Sequence, residues 1–180
     1  ADDPEVLTER VIAQRAARKP LQYILGSQSF YGLELRVDEA VLIPRQETET
    51  LCERALAAME ALRAPAVADI CTGSGAIAIA LKVNRPDARV WATDASPEAL
   101  RLARENAEQN GAEITFLEGD LLAPLTGLTF DCIVSNPPYI PSGALNGLQP
   151  EVRYEPRMAL DGGADGLTFY RRLAQDAPAA

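Results

Sequence analysis

No histidine occurs anywhere in the 180 residues. That absence removes Ser-His and Cys-His nucleophilic catalysis and most zinc chemistry, and it directs attention to reactions that need no strong general base. Cysteine is scarce as well. Cys52, Cys71 and Cys132 have neither metal-type nor redox-type spacing, so they read as buried thiols and no metal site is expected. No segment approaches the run of about 18 apolar residues that a membrane helix needs, and the N-terminus lacks a signal-peptide pattern. The expectation is a cytoplasmic protein with no membrane partner. Basic residues are outnumbered, 17 Lys and Arg against 26 Asp and Glu, for a formal charge of -9. A protein that grips duplex nucleic acid through its phosphates usually presents a basic face, so this balance weighs against a direct nucleic-acid partner. What is present is 47% hydrophobic residues, which suits a soluble globular domain with a real core.

Asp3-Pro4-Glu5 reads as a helix start, with a capping carboxylate and proline at the first helical position, and Val6, Leu7, Val11 and Ile12 give one apolar stripe. Residues 1–20 are therefore expected to be a helix remaining from an N-terminal helical domain. Tyr23-Ile24-Leu25, Ser29-Phe30-Tyr31, residues 33–37 and residues 41–43 are strand-like and are broken by Gly26, Gly32 and Asp38. They predict a β-hairpin linker over residues 21–45. Residues 46–63 repeat apolar side chains at Leu51, Ala55, Leu56, Met59 and Leu62, the spacing of an amphipathic helix. Arg45, Glu47 and Glu49 gather at its start, where the carboxylates suit the helix dipole.

From Pro65 onward the pattern alternates strand and helix, which argues an α/β fold with a doubly wound parallel sheet. Strands are expected at residues 66–70, 90–93, 114–117 and 130–134. Ser96-Pro97-Glu98 opens the second helix of this run by capping serine and first-turn proline, and Asn110-Gly111 stops it. Residues 165–176 read as a further helix with Leu167, Tyr170, Leu173 and Ala174 on one face.

The chemistry is expected at the C-terminal ends of the strands, where open α/β sheets bind ligands. Between the first of these strands and its helix lies Asp69-Ile70-Cys71-Thr72-Gly73-Ser74-Gly75. Its glycines let the backbone approach a ligand closely, and the helix N-terminus offers N–H groups to an anionic group. Asp94 ends the second strand, placed to accept both hydroxyls of a ribose, and Asp120 ends the third, where it could accept from an adenine amino group. Gly73, Gly75 and Ala78 also have the spacing G-x-G-x-x-A, so an NAD-dependent dehydrogenase is the rival reading. That enzyme would leave the end of the fourth strand unexplained.

There the chain reads Ser135-Asn136-Pro137-Pro138-Tyr139-Ile140. The two prolines stiffen the loop before any substrate arrives. The Asn136 side-chain carbonyl and the Pro137 backbone carbonyl can grip both hydrogens of a planar –NH2 group. Such a nitrogen is a poor nucleophile because its lone pair is delocalised. Two acceptors that pull the N–H bonds out of plane relocalise the lone pair and stabilise the positive charge that grows as the nitrogen attacks. Tyr139 can lie face-on to a cation or to the flat substrate group.

Taken together these motifs resemble the S-adenosylmethionine-dependent amino-methyltransferases with a Rossmann-like sheet. Tyr23-Ile24-Leu25-Gly26, Phe30-Tyr31-Gly32-Leu33, residues 42–49 (Leu-Ile-Pro-Arg-Gln-Glu-Thr-Glu) and Val152-Arg153-Tyr154-Glu155-Pro156 resemble one branch more closely, the bacterial peptide chain release factor glutamine methyltransferases. The resemblance covers nearly all of the chain. It departs where Gln46 replaces the family's usual proline and where Cys71 stands at a position that is often glycine. The resemblance implies methyl transfer from S-adenosylmethionine to the amide nitrogen of a glutamine in the Gly-Gly-Gln loop of a release factor. It implies that Cys71, Thr72, Gly73, Ser74, Gly75, Asp94, Asp120, Leu121 and Asn136 contact the donor. Asn136, Pro137, Pro138 and Tyr139 would hold the glutamine, with Arg45 beside it, and Asn136, Pro137 and Tyr139 would carry the chemistry. Residues 46–180 are then the methyltransferase domain, apparently truncated at the C-terminus, since the family's sheet has seven strands in the order 3-2-1-4-5-7-6 and only four are found. The adenine amino group is also a flat –NH2, so an adenine N6 DNA methyltransferase stays open as an alternative. So do a ribosomal protein glutamine methyltransferase and a non-catalytic cofactor-binding fragment.

Overall fold

The computed structural model describes residues 4–177. The helix expected near the N-terminus is α1 (Pro4–Ala16), while its expected capping residue, Asp3, lies outside the described residues. Val6, Leu7 and Ile12 are exposed on α1, not packed as a stripe.

Tyr23-Ile24-Leu25, expected as strand, is instead a single helical turn, α2 (Leu21–Leu25), closed by Gly26 in the left-handed conformation at φ 78. Burial of Tyr23 decides the geometry there: its ring is enclosed and its hydroxyl donates to the Val41 carbonyl at 2.5 Å. Residues 41–43 likewise join no sheet, although Val41 and Ile43 are buried. The hairpin itself is β1 (Ser27–Phe30) and β2 (Leu33–Arg36), paired antiparallel with Phe30 opposite Leu33. Tyr31 and Gly32 turn it, both at positive φ, as a two-residue hairpin turn of the primed type requires. Phe30 and Leu35 reach the same apolar cluster as Met59, Ile79 and Leu81, so the hairpin packs onto the sheet domain.

The helix expected over residues 46–63 is shorter. A 3-10 turn (Gln46–Thr48) leads into α3 (Glu49–Ala58), which buries Cys52 and Ala55. Leu62 lies beyond its end and is exposed. Arg85 closes that end by donating to the Met59 carbonyl at 2.6 Å and to the Leu62 carbonyl.

The sheet contains β3 (Ala66–Ile70), β4 (Arg89–Asp94), β5 (Thr115–Glu118) and β6 (Cys132–Ser135), all parallel, in the order β5-β4-β3-β6. This is the expected doubly wound α/β sheet, and the order matches 3-2-1-4 of the seven-strand pattern. Among the described residues β6 pairs only with β3. The central strand, β3, is buried along its whole length, as a parallel strand covered on both faces must be. On one face lie α4 (Ala76–Asn84), with Ala76 to Leu81 all buried, and α5 (Pro97–Gln109), whose N-cap Ser96 hydroxyl accepts from the Ala99 N–H at 3.1 Å. The other face carries Ala68, Ile70, Leu121, Leu122 and Leu125, covered by Trp91, Phe130 and α6 (Thr168–Asp176). That last helix packs through Phe169, Leu173 and Ala177. Leu167, Tyr170 and Ala174, expected on its inner face, are exposed, because the helix starts at Thr168 and its inward stripe is set by Phe169. Truncating a fully buried side chain such as Leu81 to alanine costs about 2–5 kcal/mol in a core of this kind.

Candidate functional site

A cleft of about 370 Å³ opens at the C-terminal ends of the four parallel strands. The side on which the donor is expected is built by the loops after β3, β4 and β5. Asp69 anchors the first of them: one carboxylate oxygen accepts from the Thr72 hydroxyl at 2.6 Å and from the Ala78 N–H at 3.1 Å. The other oxygen is buried and has no hydrogen-bond partner among the described residues. Burial, and to a lesser degree the neighbouring Asp94 charge, push the Asp69 carboxyl up to about 7, against the pull of those two hydrogen bonds. Asp94 spans the gap between loops, accepting from the Gly73 N–H at 2.8 Å and the Ser96 N–H at 2.9 Å. Burial raises its pKa, and the backbone N–H groups hold it down.

Cys71 at φ 60 and Leu121 at φ 51 line this cleft in the left-handed region, which costs a non-glycine residue roughly 1–2 kcal/mol. That is the physical reason a glycine also suits position 71. Burial, with the Asp94 and Asp69 charges, pushes the Cys71 thiol up to about 12, so it stays protonated and is a weak nucleophile.

The side on which the methyl acceptor is expected is the loop after β6. Pro137 and Pro138 are buried, while Tyr139 is 54% exposed. The Asn136 amide nitrogen donates to the Thr48 hydroxyl at 3.3 Å, which leaves Oδ1 as the free acceptor. Among the described residues neither Asn136 Oδ1 nor the Pro137 carbonyl accepts a hydrogen bond. Arg45 lies on the same wall and pairs with Glu155, whose side chain is only 2% exposed. Glu155 also accepts from the Ile43 N–H at 3.3 Å, so one buried carboxylate fixes both the arginine and the backbone before it.

The expected residues are therefore mostly brought together. Cys71, Thr72, Gly73, Ser74, Asp94, Asp120, Leu121, Asn136, Pro138 and Arg45 line the cleft. Gly75, Pro137 and Tyr139 do not. Gly75 gives its N–H to the Thr72 carbonyl at 2.9 Å and packs against Ile79 and Ala103, where a Cβ would lie 3.0 and 3.2 Å from their side chains. It brings α4 and α5 together. Asp120 is 62% exposed at its side chain and paired with Arg172 of α6 at 2.5 Å.

Two contributors, Thr48 and Asn106, are missing from the sequence analysis, and Glu49, expected only as a carboxylate at a helix start, does more. Thr48 orients Asn136. Glu49 accepts from the Tyr31 N–H at 2.8 Å and ties the hairpin turn to α3. Asn106, fully buried on α5, accepts from the Arg36 N–H at 2.7 Å and donates to the Arg36 and Ser74 carbonyls at 3.0 and 2.9 Å, joining hairpin, helix and donor loop. A buried polar residue inside an amphipathic helix was the available signal for Asn106; nothing local marks Thr48.

The donor side fits a molecule with a ribose and a charged tail. At Gly73 a Cβ would meet nothing within 4 Å, so the backbone there faces open cleft, and the half-buried Asp94 carboxylate stands beside it. Among the described residues no three His, Cys, Asp or Glu side chains cluster to hold a metal ion, and no helix is long and apolar enough to cross a membrane.

Residues 48–147 match the methyltransferase small domain family. The chain is 55% identical over 169 residues to the release factor glutamine methyltransferase of Geobacter sulfurreducens, covering 93% of this chain and 59% of that protein. It is 39% identical to the one of Thermodesulfovibrio yellowstonii, covering 98% of this chain and 67% of that protein. The chain thus spans about three fifths to two thirds of the length of these relatives. Among solved structures, the hMettl16 catalytic domain in complex with the MAT2A 3′UTR hairpin 1 superposes with a TM-score of 0.69 at 17% identity, over 88% of this chain and 61% of that one. That likeness is one of fold. With the strand order, the cleft and these similarities in agreement, the chain belongs to the methyltransferase small domain family, within the branch of the release factor glutamine methyltransferases.

Proposed function

We propose that the chain transfers a methyl group from S-adenosylmethionine to the side-chain amide nitrogen of the glutamine in the Gly-Gly-Gln loop of a peptide chain release factor, in the cytoplasm. The observation that carries this reading is the pair of free acceptors, Asn136 Oδ1 and the Pro137 carbonyl, at the end of β6 beside the donor side of the cleft. Residues 46–180 form the methyltransferase domain in this reading, with residues 1–20 and 21–45 preceding it as helix and linker.

Asp94 would hold the ribose hydroxyls, Asp120 the adenine amino group, and Cys71 to Gly75 with Leu121 the rest of the donor, with Asn136 touching it from the far wall. S-adenosylmethionine supplies an electrophilic methyl on a sulfonium, with a neutral leaving group. The protein's own work is done on the acceptor. Asn136 and Pro137 draw both N–H bonds of the substrate amide toward their oxygens, which relocalises the lone pair and favours the positive charge that develops on nitrogen. The stiff Pro137-Pro138 segment fixes both oxygens before the substrate arrives, and Tyr139 packs against the flat amide. No strong base is required, in keeping with a chain that has no histidine. The surplus proton leaves after transfer.

The adenine amino group would satisfy the same two oxygens. The charge of -9 favours the protein substrate. The test is a single mixture of labelled S-adenosylmethionine, release factor and adenine-containing DNA. Label on the release factor glutamine, lost with Asn136→Ala, is the expected result; label on DNA would overturn the substrate assignment, and donor binding without transfer to either would overturn the enzyme.

A further inference from the structure

Most glycines of this chain have room for a side chain. At Gly26, Gly32, Gly73, Gly111, Gly127, Gly143 and Gly147 a Cβ would meet nothing within 4 Å. Two glycines in the segment after Leu160 differ from the others, because the atoms their Cβ would meet within 3 Å are backbone. A Cβ on Gly162 would lie 2.7 Å from the Tyr139 Cα and 2.8 Å from the Gly166 carbonyl oxygen. One on Gly166, at φ +79, would lie 2.3 Å from the Tyr139 carbonyl oxygen and 3.2 Å from its carbonyl carbon.

The same segment is bonded along the acceptor loop as a short parallel strand would be. Ile140 bridges to Asp161, with the Ile140 N–H donating to the Leu160 carbonyl at 2.9 Å and the Gly162 N–H to the Ile140 carbonyl at 2.8 Å. Just beyond, the Ser142 N–H donates to the Gly163 carbonyl at 2.8 Å, and its hydroxyl to Asp161 at 2.6 Å. The backbone of Tyr139 is thus held from behind by chain with no side chain in the way, while its ring faces solvent.

We propose that Gly162 and Gly166 are positioning residues for methyl transfer: they allow residues 160–166 to pack directly on the Tyr139 backbone and so set where Asn136, Pro137 and Tyr139 meet the substrate amide. The inference rests on the release factor reading of the same site. Any side chain at either position pushes the acceptor loop forward. A displacement near 1 Å at reacting groups costs about 100-fold in rate.

Gly162→Ala tests this most cleanly, since its backbone is not in the left-handed region and the change adds only the clash of its Cβ with the Tyr139 and Gly166 backbone. Gly127→Ala is the control. It carries backbone strain at φ +85, but its Cβ meets nothing within 4 Å and it lies outside the segment that backs Tyr139. Ser142→Ala gives a milder displacement in a chain that keeps its packing. Three quantities are read for each variant: kcat on the release factor, affinity for S-adenosylmethionine, and hydrogen exchange of the Ile140 amide. The expected result is a loss of kcat of about 100-fold for Gly162→Ala and several-fold for Ser142→Ala, with donor affinity within about threefold. Gly127→Ala should keep kcat within about threefold, and exchange at Ile140 should accelerate only in Gly162→Ala and Ser142→Ala. Unchanged kcat and unchanged Ile140 exchange in Gly162→Ala overturn the proposal, as does an equal loss of kcat in Gly127→Ala. If the unmodified protein does not methylate a release factor, the functional reading fails, and Ile140 exchange still decides whether the glycines hold the loop.

Discussion

The two sides of the cleft are built in opposite ways. On the donor side the bonds that fix the Asp69 and Asp94 loops join residues 3 and 21 apart, Thr72 to Asp69 and Gly73 to Asp94, and the longest, Asn106 to Ser74 and Arg172 to Asp120, join residues 32 and 52 apart. On the acceptor side the key contacts join residues 88, 110 and 112 apart: Asn136 to Thr48, Arg45 to Glu155, and Ile43 to Glu155. A local assembly keeps its shape with little help from the rest of the chain. A remote one has its geometry only when three distant segments have docked.

The largest expected effect comes from removing the acceptor that the remote side exists to place. Asn136→Ala should lower methyl transfer by about 10²–10³-fold, the scale for losing one group aimed at developing charge, and single-turnover rates would show it. Next is Asn106, which joins the hairpin to the donor side. Asn106→Leu strands the Arg36 N–H and two carbonyls in a buried site, and urea unfolding should register a loss of about 3 kcal/mol. A smaller result would mean that the sides are more independent than their hydrogen bonds suggest. Asp94→Ala should weaken S-adenosylmethionine binding by about 10–100-fold in calorimetry, because charge-assisted bonds to ribose are lost and the Gly73 and Ser96 N–H groups are left without their acceptor.

The smallest effect is a slope. The Asp69 carboxyl titrates near 7 in the folded chain and near its ordinary value, about 4, when unfolded. Between those values the native state holds the extra proton, so its contribution to stability is full below about pH 4 and is lost as pH rises through 7. The slope within this window is at most about 1.4 kcal/mol per pH unit. Asp69→Asn should flatten it in urea melts taken across that range; an unchanged slope would show that another group titrates there.

The same contrast explains what could be read from residues alone. β3, the Cys71 to Gly75 loop and Asp94 follow one another in a repeating strand-helix unit, so periodicity and turn chemistry place them. The Asn136 to Tyr139 loop was recognisable from its own stiffness and its paired carbonyls. Its supports were not. Thr48, Glu155 and Asn106 act across the fold, and Gly162 and Gly166 matter for what lies behind them. The helical turn at Leu21–Leu25 was read as strand because Tyr, Ile and Leu suit both; the outcome is set by the pocket that takes the Tyr23 ring and by Gly26.

The central claim is that Asn136 acts on the acceptor and Asp94 on the donor. Methyl transfer to the release factor, measured for Asn136→Ala and Asp94→Ala as S-adenosylmethionine is raised to saturation, tests it directly. Asp94→Ala should recover most of its rate at high donor concentration, while Asn136→Ala stays at least about 100-fold below the unmodified protein. Recovery of Asn136→Ala at high donor would contradict the account, because the loop would then serve donor binding and not the activation of the amide nitrogen.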